Sequence, residues 1–269
     1  MTPPEEVGYA HNMPAPAYRT AIVTGASRGI GAATVRRLRR LGLAVHAVAR
    51  SGGALKALAE ETGCLPLPID IADRAAVLAA LGPIEADVLV NNASPLVRST
   101  PAWEASPEDI DALVDVNVRG VLNCLAATVP GMKARGRGHI VNLGSMAGTW
   151  IFPGMPVYAM TKAAIHSLSH TLRLDLHGSG VRVSEIAPGR VETGAHLALM
   201  ADREEGRRRF YEGYESLLAE DIAEAIAFVL SAPQRMDVSF MEIVPTDQSY
   251  GGSQFHRRGA APPDRRGAA

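Results

Sequence analysis

Lysine is nearly absent from this chain of 269 residues: only Lys56, Lys133 and Lys162 occur, so arginine carries almost all of the positive charge. No excess of one sign exists either, with 27 basic against 28 acidic side chains and a formal net charge of −1. That balance gives no footing for a nucleic-acid binder or for a polybasic membrane anchor. Cysteine is scarce: Cys64 and Cys124 sit in separate apolar runs. They make neither a disulfide framework nor a metal cluster, and they read as buried free thiols in a reducing compartment. No uninterrupted apolar run reaches the roughly 18 residues of a membrane span, so no membrane association is expected. Residues 1–17 hold Pro3, Pro4, Pro14 and Pro16 with Glu5 and Glu6, and lack the basic and apolar regions of a signal peptide. They are expected to form a flexible extension of a cytoplasmic protein.

Hydrophobic residues make up 47% of the chain, enough for a sizeable core. Short apolar runs rich in β-branched residues alternate with longer stretches of helical spacing. Residues 20–24, 44–49, 65–69, 88–91, 139–143, 181–186 and 240–244 read as strands. Residues 30–41, 54–61, 74–81, 107–134, 158–177 and 219–230 read as helices. This alternation predicts an α/β fold: a single doubly wound, Rossmann-type domain over residues 18–250, with a seven-stranded parallel sheet and helices on both faces. Single domains of this class run to roughly 250 residues. The tail 251–269, with Gly251, Gly252, Pro262, Pro263 and Gly267, reads as flexible or ordered by a partner.

Directly after the first strand, Thr24-Gly25-Ala26-Ser27-Arg28-Gly29-Ile30-Gly31 opens a helix. Glycines here permit a tight turn and close backbone approach, and the helix N-terminus offers free N–H groups to a pyrophosphate. The spacing G-x-x-x-G-x-G differs from the commoner G-x-G-x-x-G, and alone it could be an ordinary glycine-rich turn. Further along stand Asn91-Asn92-Ala93-Ser94 at a strand end, Asn117 within a long helix, Ser145 at another strand end, and Tyr158-Ala159-Met160-Thr161-Lys162 opening a helix. Tyr158 and Lys162, four residues apart, share one helix face.

From about Thr20 to Thr246 the sequence resembles the short-chain dehydrogenase/reductase family. The resemblance rests on the glycine-rich turn, Asp70, the Asn-Asn-Ala run, Asn117, Ser145, Tyr158, Lys162 and Pro188-Gly189 followed by Thr193. The stretches 221–226 and 243–248 are similar to the branch of NADP-dependent 3-hydroxy acid (serine-type) dehydrogenases and clavulanate-type aldehyde reductases. Ser94 departs from the glycine usual at its position, which would narrow the space beside the nicotinamide. The resemblance implies that Gly25, Ser27, Arg28, Gly29, Ile30, Gly31, Arg50, Ser51, Asp70, Ile71, Asn92, Ala93, Tyr158, Lys162, Pro188, Gly189, Val191 and Thr193 hold a nicotinamide cofactor. It also implies a homo-oligomer, tetramer or dimer, built through the helices at 107–134 and 158–177, where Leu113, Leu122, Leu168 and Leu172 are either interface or core residues.

The chemistry of the residues agrees. Interconverting an alcohol and a carbonyl needs a proton donor or acceptor at the substrate oxygen. A free tyrosine titrates near 10, and a cation one helical turn away, together with the positive oxidised nicotinamide, favours its phenolate, so Lys162 and the bound cofactor are expected to lower the pKa of Tyr158. Ser145 would hold the substrate oxygen, and Asn117 resembles the family's helix-kinking anchor of a proton relay. Taken singly, Tyr158 could be a half-buried aromatic, Lys162 a snorkelling cation, Ser145 a strand-end hydrogen bonder and Asn117 a satisfied core amide. Their order and placement favour the catalytic reading.

An NAD(H) enzyme places an acid after the second strand, roughly 20 residues beyond the turn, to bind the ribose 2′-hydroxyl. Here Val48-Ala49-Arg50-Ser51 stands instead. Arg50 and Arg28 suit a 2′-phosphate, which favours NADP(H), with NAD(H) as the alternative. On the substrate side, a lid over 194–215 carries His196, and Ser94, Leu96, Ser145, Trp150, Phe152 and Met155 are candidate contacts for a medium-sized, partly apolar alcohol or ketone. His139, His166, His170 and His177 show no ligand spacing and read as packing or surface residues, so no metal is expected. The rival class is a non-catalytic cofactor-sensing scaffold on the same fold, which would have no need of Tyr158 and Lys162.

Overall fold

The computed structural model describes residues 18–95, 100–151, 153–194, 202–249, 255 and 256. Its strands are β1 (Thr20–Thr24), β2 (Ala44–Val48), β3 (Leu65–Leu67), β4 (Val88–Asn91), β5 (Gly138–Leu143), β6 (Val181–Pro188), β7 (Val191–Glu192), β8 (Leu217–Leu218) and β9 (Phe240–Ile243). Its helices are α1 (Gly29–Arg40), α2 (Gly52–Thr62), α3 (Arg74–Leu81), α4 (Pro107–Val114), α5 (Val121–Ala134), α6 (Pro156–Asp175), α7 (Arg203–Tyr211) and α8 (Ala219–Ser231). Seven strands form one sheet in the order β3-β2-β1-β4-β5-β6-β9. Every neighbouring pair in it is parallel.

Parallel pairing demands crossovers, which the helices supply on both faces. Val35 and Leu38 of α1 and Ile222 and Ile226 of α8 pack with Val23, Val45 and Val90 on one side of the sheet. Val77 and Leu81 of α3, Cys124 and Met132 of α5 and Ile165 of α6 pack with Ile22, Leu89 and Ile140 on the other. Full burial of such side chains stabilises by about 1.5–3 kcal/mol each. Both cysteines are free and buried, as expected, and burial pushes the Cys124 thiol up to about 12.

The chain runs outward from β1 to β3 and then returns to place β4 on the other flank of β1. The strand order therefore reverses between β1 and β4, and the crevice beyond their carboxyl ends is where such sheets bind ligands. Helix starts follow local chemistry. Asp73 accepts the N–H of Ala76 at 3.0 Å to open α3, and Ser106 accepts that of Asp109 at 3.1 Å, ahead of Pro107, to open α4. A buried polar chain ties α6 to the sheet: the Asn91 amide donates to Asn142 Oδ1 at 2.9 Å, and the Asn142 amide to Ser169 Oγ at 2.9 Å.

The expected single helix at 107–134 is α4 and α5 joined by a π-helical turn, Asp115–Gly120. By length and mean hydropathy (1.3) this stretch would pass for a membrane span. Here its buried residues, among them Leu113, Asn117, Val121, Cys124 and Met132, make it a core helix. The small parallel pair β7–β8 and the helix α7 go beyond the sequence reading. Of the tail, Phe255 stacks on Tyr214 with ring centroids 4.0 Å apart and bridges to Gln248, and the N–H of His256 donates to the Asp247 carbonyl at 2.7 Å; the other tail residues and residues 1–17 lie outside the described residues.

Candidate active site

The crevice is built by side chains that lock the ends of β1 and β4 together. Thr24 Oγ1 donates to the carbonyl of Val90 at 3.2 Å and accepts the N–H groups of Asn92 and Ala93 at 3.0 and 3.1 Å. The Asn92 amide donates back to the carbonyls of Thr24 and Gly25 at 2.9 and 3.3 Å. This leaves no room beside the turn. A Cβ on Gly25, whose φ is +67°, would lie 2.7 Å from Ala93 Cα, and one on Gly31 would lie 2.6 Å from Asn92 Nδ2. Gly29 has φ +52°, and a Cβ there would lie 3.2 Å from Cβ of Thr193, so the segment after β7 returns over the turn.

The first turn of α1 holds no acid, and its N-cap, Arg28, makes no side-chain cap. Its amide N–H groups and the positive end of its dipole thus suit a phosphate group. Ser51 caps α2 without a side-chain bond. Arg50, with 73% of its side chain exposed, approaches Asp70 at 3.9 Å, its only ion pair among the described residues, so its guanidinium keeps donors for a ligand phosphate. Asp70 itself accepts the N–H of Ala72 at 3.0 Å, and the carbonyl of buried Ile71 accepts the Asn123 amide at 3.0 Å. At the far wall, Gly189 closes against Gln248, whose Oε1 would lie 2.6 Å from a Cβ on that glycine, and Val191 is buried. These residues fit a dinucleotide: a glycine cradle, an uncapped helix start, and arginines in place of an acid.

The proposed proton-transfer groups converge from three elements. Ser145 follows β5; its Oγ accepts the N–H of Ala147 at 3.1 Å, and it stands near enough to the Tyr158 phenol to lower its pKa. Tyr158 and Lys162 occupy the first two turns of α6, with Lys162 Nζ 5.8 Å from the centre of the Tyr158 ring. Lys162 is buried and donates to the carbonyl of Leu143 at 2.7 Å. From the π-helical turn, the Asn117 amide donates to Thr161 Oγ1 at 2.9 Å, and that hydroxyl donates to the Tyr158 carbonyl at 2.9 Å. Asn117 Oδ1 is buried without a hydrogen-bond partner among the described residues.

Burial drives the titration of both central groups. It pulls the Lys162 ammonium down to about 8, with the nearby Glu185 carboxylate opposing it. It raises the Tyr158 phenol, which the nearby Ser145 side chain partly offsets. The expected lowering of the tyrosine pKa is therefore absent from the protein alone. Desolvation outweighs the lowering by Ser145, and Lys162, whose own charge burial disfavours, has its donor turned to Leu143.

Of the candidate substrate contacts, Ser94, Ser145, Trp150 and Met155 are described, while Leu96, Phe152 and His196 lie outside the described residues. Trp150 Nε1 donates to Glu242 Oε2 at 2.7 Å, an anchor on β9 that nothing in the local sequence signals. Thr24, Thr161 and Glu185 also went unremarked as site-building residues. Thr24 alone had a cue, as the residue that ends β1 and opens the glycine turn.

The model of the short chain dehydrogenase family matches residues 19–204. An NADP-dependent 3-hydroxy acid dehydrogenase, YdfG, of Salmonella typhi is 38% identical over 244 residues, covering 88% of this chain and 98% of the relative. A serine 3-dehydrogenase of Agrobacterium fabrum is 36% identical over 245 residues, covering 88% of this chain and 98% of that one. Among solved structures, the closed form of serine dehydrogenase complexed with NADP+ superposes with a TM-score of 0.82 at 35% identity, covering 89% of this chain and 100% of that one. The crevice, the Ser-Tyr-Lys cluster and these matches agree, and this chain belongs to the short-chain dehydrogenase/reductase family of oxidoreductases.

Proposed function

We propose that this protein is an NADP(H)-dependent oxidoreductase that interconverts an alcohol and a carbonyl, acting on a small 3-hydroxy acid or a related ketone or aldehyde. The observation that carries the reading is the meeting of Ser145, Tyr158 and Lys162 at the carboxyl end of β5. The similar proteins named for 3-hydroxy acids and serine support the substrate class. The arginines at 28 and 50, with no acid after β2, support the phosphorylated cofactor.

The glycine turn and the N-terminus of α1 would hold the cofactor pyrophosphate, and Arg50 with Arg28 the 2′-phosphate. When bound, the nicotinamide ring supplies or takes up the hydride. Tyr158 Oη gives its proton to the nascent alkoxide in reduction and takes it back in oxidation. Ser145 Oγ holds the substrate oxygen beside that phenol and stabilises the charge that develops there. Lys162 supplies a positive field one helical turn away. Asn117 Oδ1 and Thr161 hold the inner end of the cluster, where a water joining Asn117 to the lysine would complete a proton relay. Leu122, Met160 and Leu174, exposed on α5 and α6, offer an apolar face for a homodimer or homotetramer in a cytoplasmic setting.

Tyr158→Phe tests this. Loss of general acid–base catalysis lowers turnover by roughly 100-fold or more, while NADPH binding followed by its fluorescence stays unchanged. A variant retaining more than about a tenth of the activity would remove Tyr158 from the mechanism.

A further inference from the structure

We propose that His166, His170 and Glu185 form a binding site for a divalent transition-metal ion of the zinc, cobalt or nickel type. In the proposed reaction none of these three groups touches the substrate or transfers a proton; Glu185 acts there only through the charge it presents to Lys162.

His166 and His170 stand four residues apart on α6, hence on one face, and their rings lie 4.6 Å apart. Glu185, on β6 beneath them, completes a set in which one ligand atom from each residue lies within 4.8 Å of the others. Two imidazoles and one carboxylate are the donor set that borderline divalent ions take, with water filling the remaining positions. Hard ions such as magnesium prefer all-oxygen sites.

The carboxylate supplies the second, independent observation. Glu185 is 1% exposed, and its two oxygens are treated unequally. Oε2 meets His166 Nδ1 at 2.8 Å, whereas Oε1 is buried with no hydrogen-bond partner among the described residues. A half-satisfied carboxylate in the interior is costly, and a cation bound by it and the two imidazoles offsets that cost. The neighbouring Lys162 ammonium acts on this carboxylate through its charge, but its hydrogen bond goes to Leu143, so Oε1 still has no hydrogen-bond partner among the described residues.

The frame of the site is rigid and its mouth is open. Gly144 is packed on the carboxylate: a Cβ there would collide with Oε1 and lie 3.1 Å from Glu185 Cγ, so any other residue would evict the glutamate. Phe240 meets the His166 ring nearly edge-on at 5.3 Å, fixing its plane. His170 is exposed and His166 half-buried, which leaves an entry path and room for a coordinated water. An ion held here ties α6, the helix that carries Tyr158 and Lys162, to β6.

The test uses the full chain without a polyhistidine tag, stripped with chelator and titrated with zinc chloride by calorimetry. The expected result is saturable binding of a single zinc ion per chain. At a hundredfold excess over Kd the melting temperature rises by roughly 5 °C. His170→Ala, a surface change that leaves the fold intact, weakens binding at least about tenfold, as does the near-isosteric Glu185→Gln. His177→Ala, a histidine outside the cluster, leaves it unchanged. Cobalt chloride gives visible absorption bands that disappear in His170→Ala. Absence of saturable zinc binding, or binding undiminished in His170→Ala, overturns the proposal and leaves His166–Glu185 as a plain hydrogen-bonded pair.

Discussion

Replacing Lys162 by methionine measures how much stability the active-site cation withholds from the fold, and at which pH. The ammonium is 4% exposed, and burial brings its pKa down from 10.5 to about 8. At 1.36 kcal/mol per pH unit that gap corresponds to about 3 kcal/mol. The direction follows from proton counting. Below pH 8 the lysine is charged in both the folded and the unfolded chain, and the folded state carries the whole cost of burying it. Between about 8 and 10.5 the unfolded chain still binds the proton while the folded one has released it, so stability rises with pH through that window.

Methionine has the same reach and no charge, so the variant loses this dependence. It also deprives the Leu143 carbonyl of its 2.7 Å donor, a loss of about 1–3 kcal/mol that does not change with pH. The two effects nearly cancel near pH 7, where the variant should be about as stable as the parent. By pH 9.5 the parent should have gained about 2 kcal/mol relative to it. Urea unfolding of both proteins between pH 7 and 9.5, followed by tryptophan fluorescence and circular dichroism, gives the difference directly. A difference constant over that range refutes the reasoning. A parent that loses ground as pH rises would mean that Glu185 holds the lysine charged and that the pairing outweighs desolvation.

Two further substitutions probe the cofactor crevice. Gly31→Ala places a methyl group against the Gly25 carbonyl and 2.6 Å from Asn92 Nδ2, which should lower stability by about 1–3 kcal/mol in thermal or urea unfolding and weaken NADPH together with it. Arg50→Ala removes a charge-assisted contact to the 2′-phosphate worth about 1.5–3 kcal/mol, so Kd for NADPH should rise roughly tenfold to a hundredfold with Kd for NADH unchanged. Equal weakening of both cofactors would remove Arg50 from the discrimination.

The central strands of the main sheet could be read in advance because β1, β2, β4, β5 and β6 are apolar runs rich in β-branched residues and largely buried, and the helices between them carry an apolar stripe. Boundaries were set by tertiary context. β3 stops at Leu67, where the N–H of Ile69 turns back onto the Leu67 carbonyl at 3.0 Å, whereas β6 continues to Pro188, beyond the Ile186 expected, because it lies between β5 and β9. The β7–β8 pair is two residues long on each side and leaves no periodic trace. The π-helical turn leaves no periodic trace, and its one cue is Asn117, the residue that resembles the family's helix-kinking anchor. Ile71 packs against it, where a Cβ on Gly120 would stand 2.7 Å from Cδ1. Tyr158 and Lys162 declared themselves by spacing, but the partners that set their chemistry are distant in sequence. Glu185 lies far along the chain from Lys162, on a strand whose pattern says only that it is buried.

The glycine turn shows most directly how fold and function share residues. From sequence, Gly25 and Gly31 read as space left for a pyrophosphate. In the structure that space is already claimed, because Asn92 and Ala93 close on both glycines through the hydrogen bonds of Thr24. The cradle is thus held by contacts within the protein, and the cofactor needs to order little of it on binding. The costs sit elsewhere in the same crevice: a buried ammonium in Lys162, and a buried carbonyl oxygen in Asn117 without a partner among the described residues. Unpartnered buried atoms alone do not mark a site, since His46 Nδ1 and Asn91 Oδ1 are in the same state. What separates Asn117 is that its other amide atom reaches Thr161, within the turn of α6 that joins Tyr158 to Lys162. In the proposed mechanism the unfilled acceptor thus stands beside that turn, where it would hold the relay water.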